Sequence, residues 1–329
     1  MDARNSAVTV RHFADALPDR MVSNSELCAT VDSSDEWIRS RTGIESRRFL
    51  EDGAAASDLA LRAARSVLSE SGLPAVDVDA IVLATVNPDQ PFPSTALTVA
   101  QALGAVRAVP IDLTQAACSG GLLAIEIAAS MIGERYRNIL VLASEVLSRQ
   151  MNPTDRTTRI FFGDAAGGAL VSAERAVGRG IRSSVVESEL DMSVGIRDGG
   201  SRHPLTADSV AHGRHYVFMD GPRVWKLATT MLPTVVRRAV DEAGLALDDV
   251  DHFVFHQANR NIVETVVDSL GVPRDKAPIT VDRLGNTGAA SIFTVLAELE
   301  RAALLRPGTV TVIATIGAGF IWGALVLVH

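Results

Sequence analysis

Apolar and polar positions along the chain fall into a pattern that occurs twice. Residues 64–85, ARSVLSESGLPAVDVDAIVLAT, read as an amphipathic helix stopped by Gly72, a short Asp-containing loop and a wholly apolar strand. Residues 236–257, VRRAVDEAGLALDDVDHFVFHQ, repeat this, with Gly244 standing 172 positions after Gly72. Arg65, Glu70, Leu73, Asp77, Val78, Asp79 and Val82 recur at the same offset. The parallel continues. IDLTQAACSGG, a helix and the strand NILVLASEV follow the first copy; ITVDRLGNTGAAS, a helix and the strand VTVIATIGAG follow the second. Each half thus predicts helix–strand–strand–helix–strand, and alternating strands and helices imply an α/β fold with sheets covered by helices. The boundary is placed near 182, giving halves 1–182 and 183–329. The Gly-rich region 173–215 is the least regular part, and the long irregular tract after 182 is expected to form loops over a site.

The stretch Val310 to Val328 carries no charge and approaches membrane-spanning length. Its β-branched residues and Gly317, Gly319 and Gly323 favour two buried strands instead. The chain has 329 residues, 47% apolar and 21% charged, which suits a folded globular protein. Net charge is -8 with no long Lys/Arg run, so nucleic acid is not an expected partner. Two cysteines, Cys28 and Cys118, make neither a disulfide scaffold nor a Cys-rich zinc site, and a cytoplasmic location is expected. His203, His212 and His215 sit in a polar tract that reads as a solvated loop, so no metal is expected.

Three residues carry candidate chemistry. Cys118 follows the strand VPIDL and immediately precedes Ser119-Gly120-Gly121 and an apolar helix. A helix N-terminus favours a thiolate, and small residues let backbone amides approach a carbonyl. A buried structural thiol fits the local context equally well, and Cys28 fits only that role. His256 ends the strand VDHFVF, at the position matching Ala84 in the first half. Strand C-terminal ends are where α/β sheets build sites. Asn286, in Leu284-Gly285-Asn286-Thr287-Gly288-Ala289-Ala290-Ser291, occupies the second-half counterpart of the Cys118 turn.

With that trio in view, the chain resembles the ketoacyl-ACP synthase III family of condensing enzymes, in the thiolase superfamily. The likeness is carried by Asp35-Glu36-Trp37, Arg41-Thr42-Gly43-Ile44, Ala116-Ala117-Cys118, Phe162-Gly163-Asp164, His256-Gln257-Ala258-Asn259 and Gly285-Asn286-Thr287. It implies a thiolase-like, five-layered αβαβα fold from two duplicated halves, a homodimer, and a ping-pong decarboxylative condensation. Cys118 would take the acyl group of an acyl-CoA. Backbone amides of Cys118 and of Gly317 and Gly319 would hold the oxyanion. His256 and Asn286 would bind the carbonyl of a malonyl thioester as it loses carbon dioxide, giving a 3-oxoacyl thioester. CoA thioesters are substrates, and no cofactor is implied.

The same resemblance places Trp37, Arg41, Arg156 and Asn259 against CoA, and Phe92, Gly121, Phe162 and Met219 around the acyl group, with Phe92 reaching into the partner subunit. The chain departs from the family pattern in three places. Gly121 stands where a Phe is common, Arg260 is displaced by one position, and Asp268 and Ser269 replace lysines of a carrier-protein surface, leaving Lys226. These departures keep a second reading open. In it, Cys118 passes its acyl group from CoA or a carrier protein to a hydroxyl, amine or thiol. A non-catalytic partner subunit is a third class, which the intact trio argues against.

Overall fold

The computed structural model describes residues 7–114, 116–174 and 178–329. The repeated segments fold alike, and for the same local reasons. Helix Ala56–Ser71 ends at Gly72 in the left-handed conformation (φ 68°), and helix Gly221–Glu242 is followed by Gly244 at φ 72°. Asp79 then accepts the backbone N–H of Asn138 at 3.0 Å, and its counterpart Asp251 accepts that of Val310 at 2.8 Å. One carboxylate in each half therefore pins the start of a neighbouring strand.

The strands form two main sheets. The first runs in the order Ala7–Ala16, Asp164–Glu174, Asn138–Val146, Ala80–Ala84, Val109–Leu113. The second runs His252–Phe255, Val310–Gly317, Gly319–Val328, Gly180–Asp191. In each, two consecutive long strands are antiparallel while the short strand beside them is parallel. The changeover between sheets falls between Glu174 and Gly180, so the expected boundary at 182 lies just inside the first strand of the second sheet.

Three apolar layers hold the sheets. Residues of helices Gly120–Met131 and Ser291–Arg301 pack between them with Val82, Val141, Ile313 and Leu325. Helix Ala56–Ser71 and Val99 cover the outer face of the first sheet. Helices Gly221–Glu242 and Arg260–Leu270 cover the outer face of the second. The order is helix, sheet, helix, sheet, helix, as expected.

The second half departs from the expected series at one strand. Val109–Leu113 is an edge strand of the first sheet, but the corresponding Ile279-Thr280-Val281 is not a strand. The Gln257 side chain stands in for the missing ladder. Its oxygen accepts the N–H groups of Thr280 and Val281 at 2.9 and 3.2 Å, and its amide donates to the Phe255 carbonyl at 2.9 Å. A buried amide that satisfies these backbone groups removes the need for strand pairing.

The uncharged segment Val310 to Val328 is an antiparallel pair of strands buried in the second sheet. Among the described residues no helix is long and apolar enough to cross a membrane.

Candidate active site

Both halves deliver their chemistry from turns at strand ends. Residues Ala117–Ser119 form a 3-10 turn that leads into helix Gly120–Met131. Ala117 sits at φ 46°, a region L-residues seldom occupy, so the turn before Cys118 is strained. Gly317 makes the close approach possible. A Cβ there would lie 2.6 Å from the Ala116 carbonyl oxygen and 3.1 Å from the Cys118 nitrogen.

The Asn286 turn is fastened from both sides. The Asn286 N–H donates to the Phe161 carbonyl at 2.7 Å, and its own carbonyl accepts from Gly163 at 3.0 Å. Its side-chain oxygen accepts the Gly288 N–H at 2.9 Å. That orients the amide –NH2 the other way, and the Asn286 side chain hydrogen-bonds to Cys118. His256 continues the strand His252–Phe255 by donating its N–H to Ala314 at 2.9 Å. Cys118, His256 and Asn286 thus line one narrow cavity of about 120 Å³, with Phe161, Phe162, Met219, Trp225 and Asn259.

A second cavity of about 360 Å³ opens from Cys118 and is mostly apolar. Val86, Leu147, Met151, Phe162, Val194, Ile196 and Val217 line it. The ribbon Val194–Ile196 and Val217–Met219 forms one wall, but much of the Gly-rich tract is not loop: Gly180–Asp191 is a long strand of the second sheet. His212 in that tract bonds to the Asp208 carbonyl at 2.9 Å, and no group of His, Cys, Asp and Glu able to hold a metal occurs among the described residues.

The electrostatics correct one expectation. Burial pushes the Cys118 thiol up to about 12, Glu145 adds to the rise, and the Asn286 hydrogen bond only partly offsets it. Desolvation of the charged form is the largest of these effects, and it favours the thiol over the thiolate. Burial pushes His256 down to about 3, and the ring is neutral.

Other predicted residues fall where the chain lets them. Trp37 and Arg156 come together, the guanidinium 5.6 Å from the ring centroid. Arg41 is exposed, and its carbonyl accepts from the Asn259 amide at 3.2 Å, beside the narrow cavity. Asn259 also caps helix Arg260–Leu270 through Asn261 N–H. Arg260 pairs with Glu264, and Arg274 with Glu264 and Asp268. Gly319 lines the larger cavity, Phe162 both, and Met219 the narrow one. Phe92 is 85% exposed and lines neither cavity in this chain.

Gly121 is a correction. It lines neither cavity, and a Cβ there would meet the Ala289 carbonyl oxygen at 2.5 Å and Phe293 at 3.1 Å. The position lets the two central helices approach. Cys28 packs with Val31, Ile38 and Ile160, away from the site.

Two residues escaped the sequence reading. Glu145 is fully buried and lines the larger cavity. Its oxygens accept from Val86 and Ala289 at 3.1 and 3.3 Å, joining a first-half loop to the Asn286 turn, and burial raises it to about 8. An acid inside the apolar strand NILVLASEV was its only signal. Ser291, which touches His256, had none beyond lying in the Asn286 segment.

A duplicated five-layer αβαβα chain with a cysteine before the central helix of one half and His and Asn from the other defines a thiolase-fold protein. Two models of 3-oxoacyl-[acyl-carrier-protein] synthase III, the domain and its C-terminal part, match residues 111–189 and 240–329. A beta-ketoacyl-[acyl-carrier-protein] synthase III of Symbiobacterium thermophilum is 42% identical, covering 95% of both chains. The solved 3-oxoacyl-[acyl-carrier-protein] synthase III of Aquifex aeolicus is 31% identical with a TM-score of 0.89, covering 98% of this chain and 100% of that one. The priming beta-ketosynthase of the R1128 polyketide pathway is 30% identical with a TM-score of 0.88, covering 98% and 96%. The chain belongs to the 3-oxoacyl-[acyl-carrier-protein] synthase III family.

Proposed function

We propose that the protein condenses an acyl-CoA starter with a malonyl thioester to give a 3-oxoacyl thioester. The observation that carries this is the Asn286 amide, aimed by the Gly288 N–H into the cavity that holds Cys118 and His256. Simple acyl transfer has no use for a paired donor there; an enolate does.

In the first step the Cys118 sulfur attacks the acyl carbonyl and the bond to the CoA sulfur breaks. The thiol proton ends on CoA. Backbone amides of Cys118 and the Gly317 to Gly319 segment would hold the oxyanion, and one such donor is worth ~10²–10³ in rate. The acyl chain would lie in the apolar cavity of about 360 Å³, and the pantetheine arm in the narrow one. In the second step the malonyl thioester loses carbon dioxide, and charge moves onto its thioester oxygen. His256 and Asn286 donate to that oxygen, stabilising the transition state more than the ground state. The enolate carbon then attacks the acyl group. Cys118 leaves as a thiolate and regains a proton from solvent.

The stack of Arg156 on Trp37 and the exposed Arg41 suit an adenine and its phosphates. The relatives' names include an acyl carrier protein, so the malonyl group is proposed to arrive on such a carrier, meeting Lys226 and Arg260, which adjoin Trp225 and Asn259 of the narrow cavity in sequence. A homodimer is proposed to form along the edge strand Val109–Leu113, with the exposed Phe92 entering the partner. A soluble, cytoplasmic location fits CoA substrates. The test is intact-protein mass spectrometry with an acyl-CoA panel, followed by malonyl-CoA or malonyl carrier while carbon dioxide is measured. An acyl adduct that persists in the presence of malonyl thioester, with no carbon dioxide, would overturn the proposal.

A further inference from the structure

The His256 ring has a neighbour that the reaction scheme leaves unused. Its Nδ1 lies 2.7 Å from the Ser291 hydroxyl, and Ser291 is fully buried at the start of the central helix. The Ser291 oxygen already accepts the Gln257 backbone N–H at 3.3 Å. That donor is fixed, because the Gln257 carboxamide is locked onto Thr280, Val281 and Phe255. The Thr294 hydroxyl donates to the Ser291 carbonyl at 2.7 Å and makes no demand on the Ser291 hydroxyl.

A serine hydroxyl has one proton to give, and a neutral imidazole has one donor and one acceptor nitrogen. If Nδ1 carried the proton, it and the Gln257 N–H would both donate to Ser291. The buried hydroxyl proton would then have no acceptor among these partners, an arrangement native interiors avoid. If Ser291 donates to Nδ1, every group in the cluster is satisfied.

We propose that Ser291 is the positioning residue that sets the tautomer of His256, holding its proton on Nε2 as the donor to the malonyl carbonyl. The proposal rests on the condensing function for its use, though not for its geometry. It also assigns His256 no part in deprotonating Cys118, since Nε2–H is a donor with no lone pair to offer.

The experiment labels the full-length protein with [15N]histidine and reads the imidazole nitrogens by NMR without substrate. The His256 signal is identified by its loss in His256→Gln. The expected result is a neutral His256 protonated on Nε2. In Ser291→Ala the Nδ1–H form should appear. Malonyl decarboxylation should fall by about tenfold or more, as when an orienting group fixing a catalytic tautomer is lost. Cys118 self-acylation should stay within about twofold. Ser291→Thr, which keeps a hydroxyl, should restore both the tautomer and the rate. A wild-type His256 protonated on Nδ1 overturns the proposal, and so does a Ser291→Ala protein with unchanged tautomer and decarboxylation. If Ser291→Ala does not fold, the wild-type spectrum decides alone. A wild type with Nε2–H but no decarboxylation overturns the condensing function and leaves the tautomer assignment standing.

Discussion

In the first half, the 3-10 turn Ala117–Ser119 runs into helix Gly120–Met131; in the second, Gly288–Ala290 runs into Ser291–Arg301. The two turns meet at the middle of the molecule, where a Cβ on Gly120 would touch Ala289 at 3.1 Å. Each follows the same helix, loop and strand, with Asp79 and Asp251 doing the same job. Yet one turn holds a thiol and the other an amide. The strand end that is Ala84 in one half continues into His256 in the other. The scaffold therefore fixes where chemistry is delivered, and single residues at the delivery points fix which chemistry it is. Under the proposed function, the first half supplies the covalent bond and the second stabilises charge.

That division predicts different losses from the two sides. Cys118→Ala should abolish the acyl adduct, while Cys28→Ala should leave it intact, because only Cys118 opens on the cavities. An adduct of normal yield in Cys118→Ala, seen by intact mass, would break the comparison outright. Asn286→Ala should lose ~10²–10³ in malonyl decarboxylation and far less in self-acylation, where only its hydrogen bond to Cys118 is lost. Equal loss in both half-reactions would show that the halves do not divide the work.

The joint between the halves should respond as packing. Gly121→Ala places a methyl 2.5 Å from the Ala289 carbonyl oxygen. Overpacking there should cost ~1–3 kcal/mol in urea unfolding while the acyl-CoA preference is unchanged. A changed chain-length preference with undiminished stability would return Gly121 to the acyl pocket.

The smallest expected effect lies far from the site. Burial holds His329 down at about 4, with its ring 3.0 Å from the Thr311 hydroxyl. The folded state keeps this ring neutral where the unfolded chain, near its ordinary value of 6.5, takes up a proton. The unfolded state thus binds more protons between about 6.5 and about 4, and stability falls as pH falls through that window. His329→Asn should flatten this decline by on the order of 1–2 kcal/mol between pH 7 and 5, leaving both half-reactions alone. An unchanged slope would show that His329 is not the group responsible.

Much of this was legible in the sequence because duplication writes the same physics twice. The Gly stops, the Asp loops and the apolar strands recur at one offset, and the structure repeats them. Cys118, His256 and Asn286 were legible because each breaks the symmetry of its copy. Glu145 and Ser291 were not, since a lone acid in a strand and a serine in a small-residue run carry no periodic signal. Their roles arise only from partners 144 and 35 positions away. The state of Cys118 was misread because the local rule, a helix N-terminus, competes with burial. Only the folded chain shows how deeply the thiol is buried. The missing second-half strand was hidden for a related reason: ITV has strand propensity, and a side-chain amide overrides it.

That amide bears on how copies of the chain meet. A bare strand edge is a template for another strand, and a molecule with two such edges at unlike places assembles head to tail without an end. Duplication ought to have produced both, one at Val109–Leu113 and one at residues 279–281. Gln257 occupies the backbone donors of Thr280 and Val281 at the second position, so residues 279–281 offer no ladder of their own. Val109–Leu113 keeps its edge, and if the proposed dimer forms there, an edge that met only its own copy would close as a twofold and stop. The carboxamide would thereby keep residues 279–281 from adding a strand, and a Gln257→Ala chain would be the one to watch for assembly there.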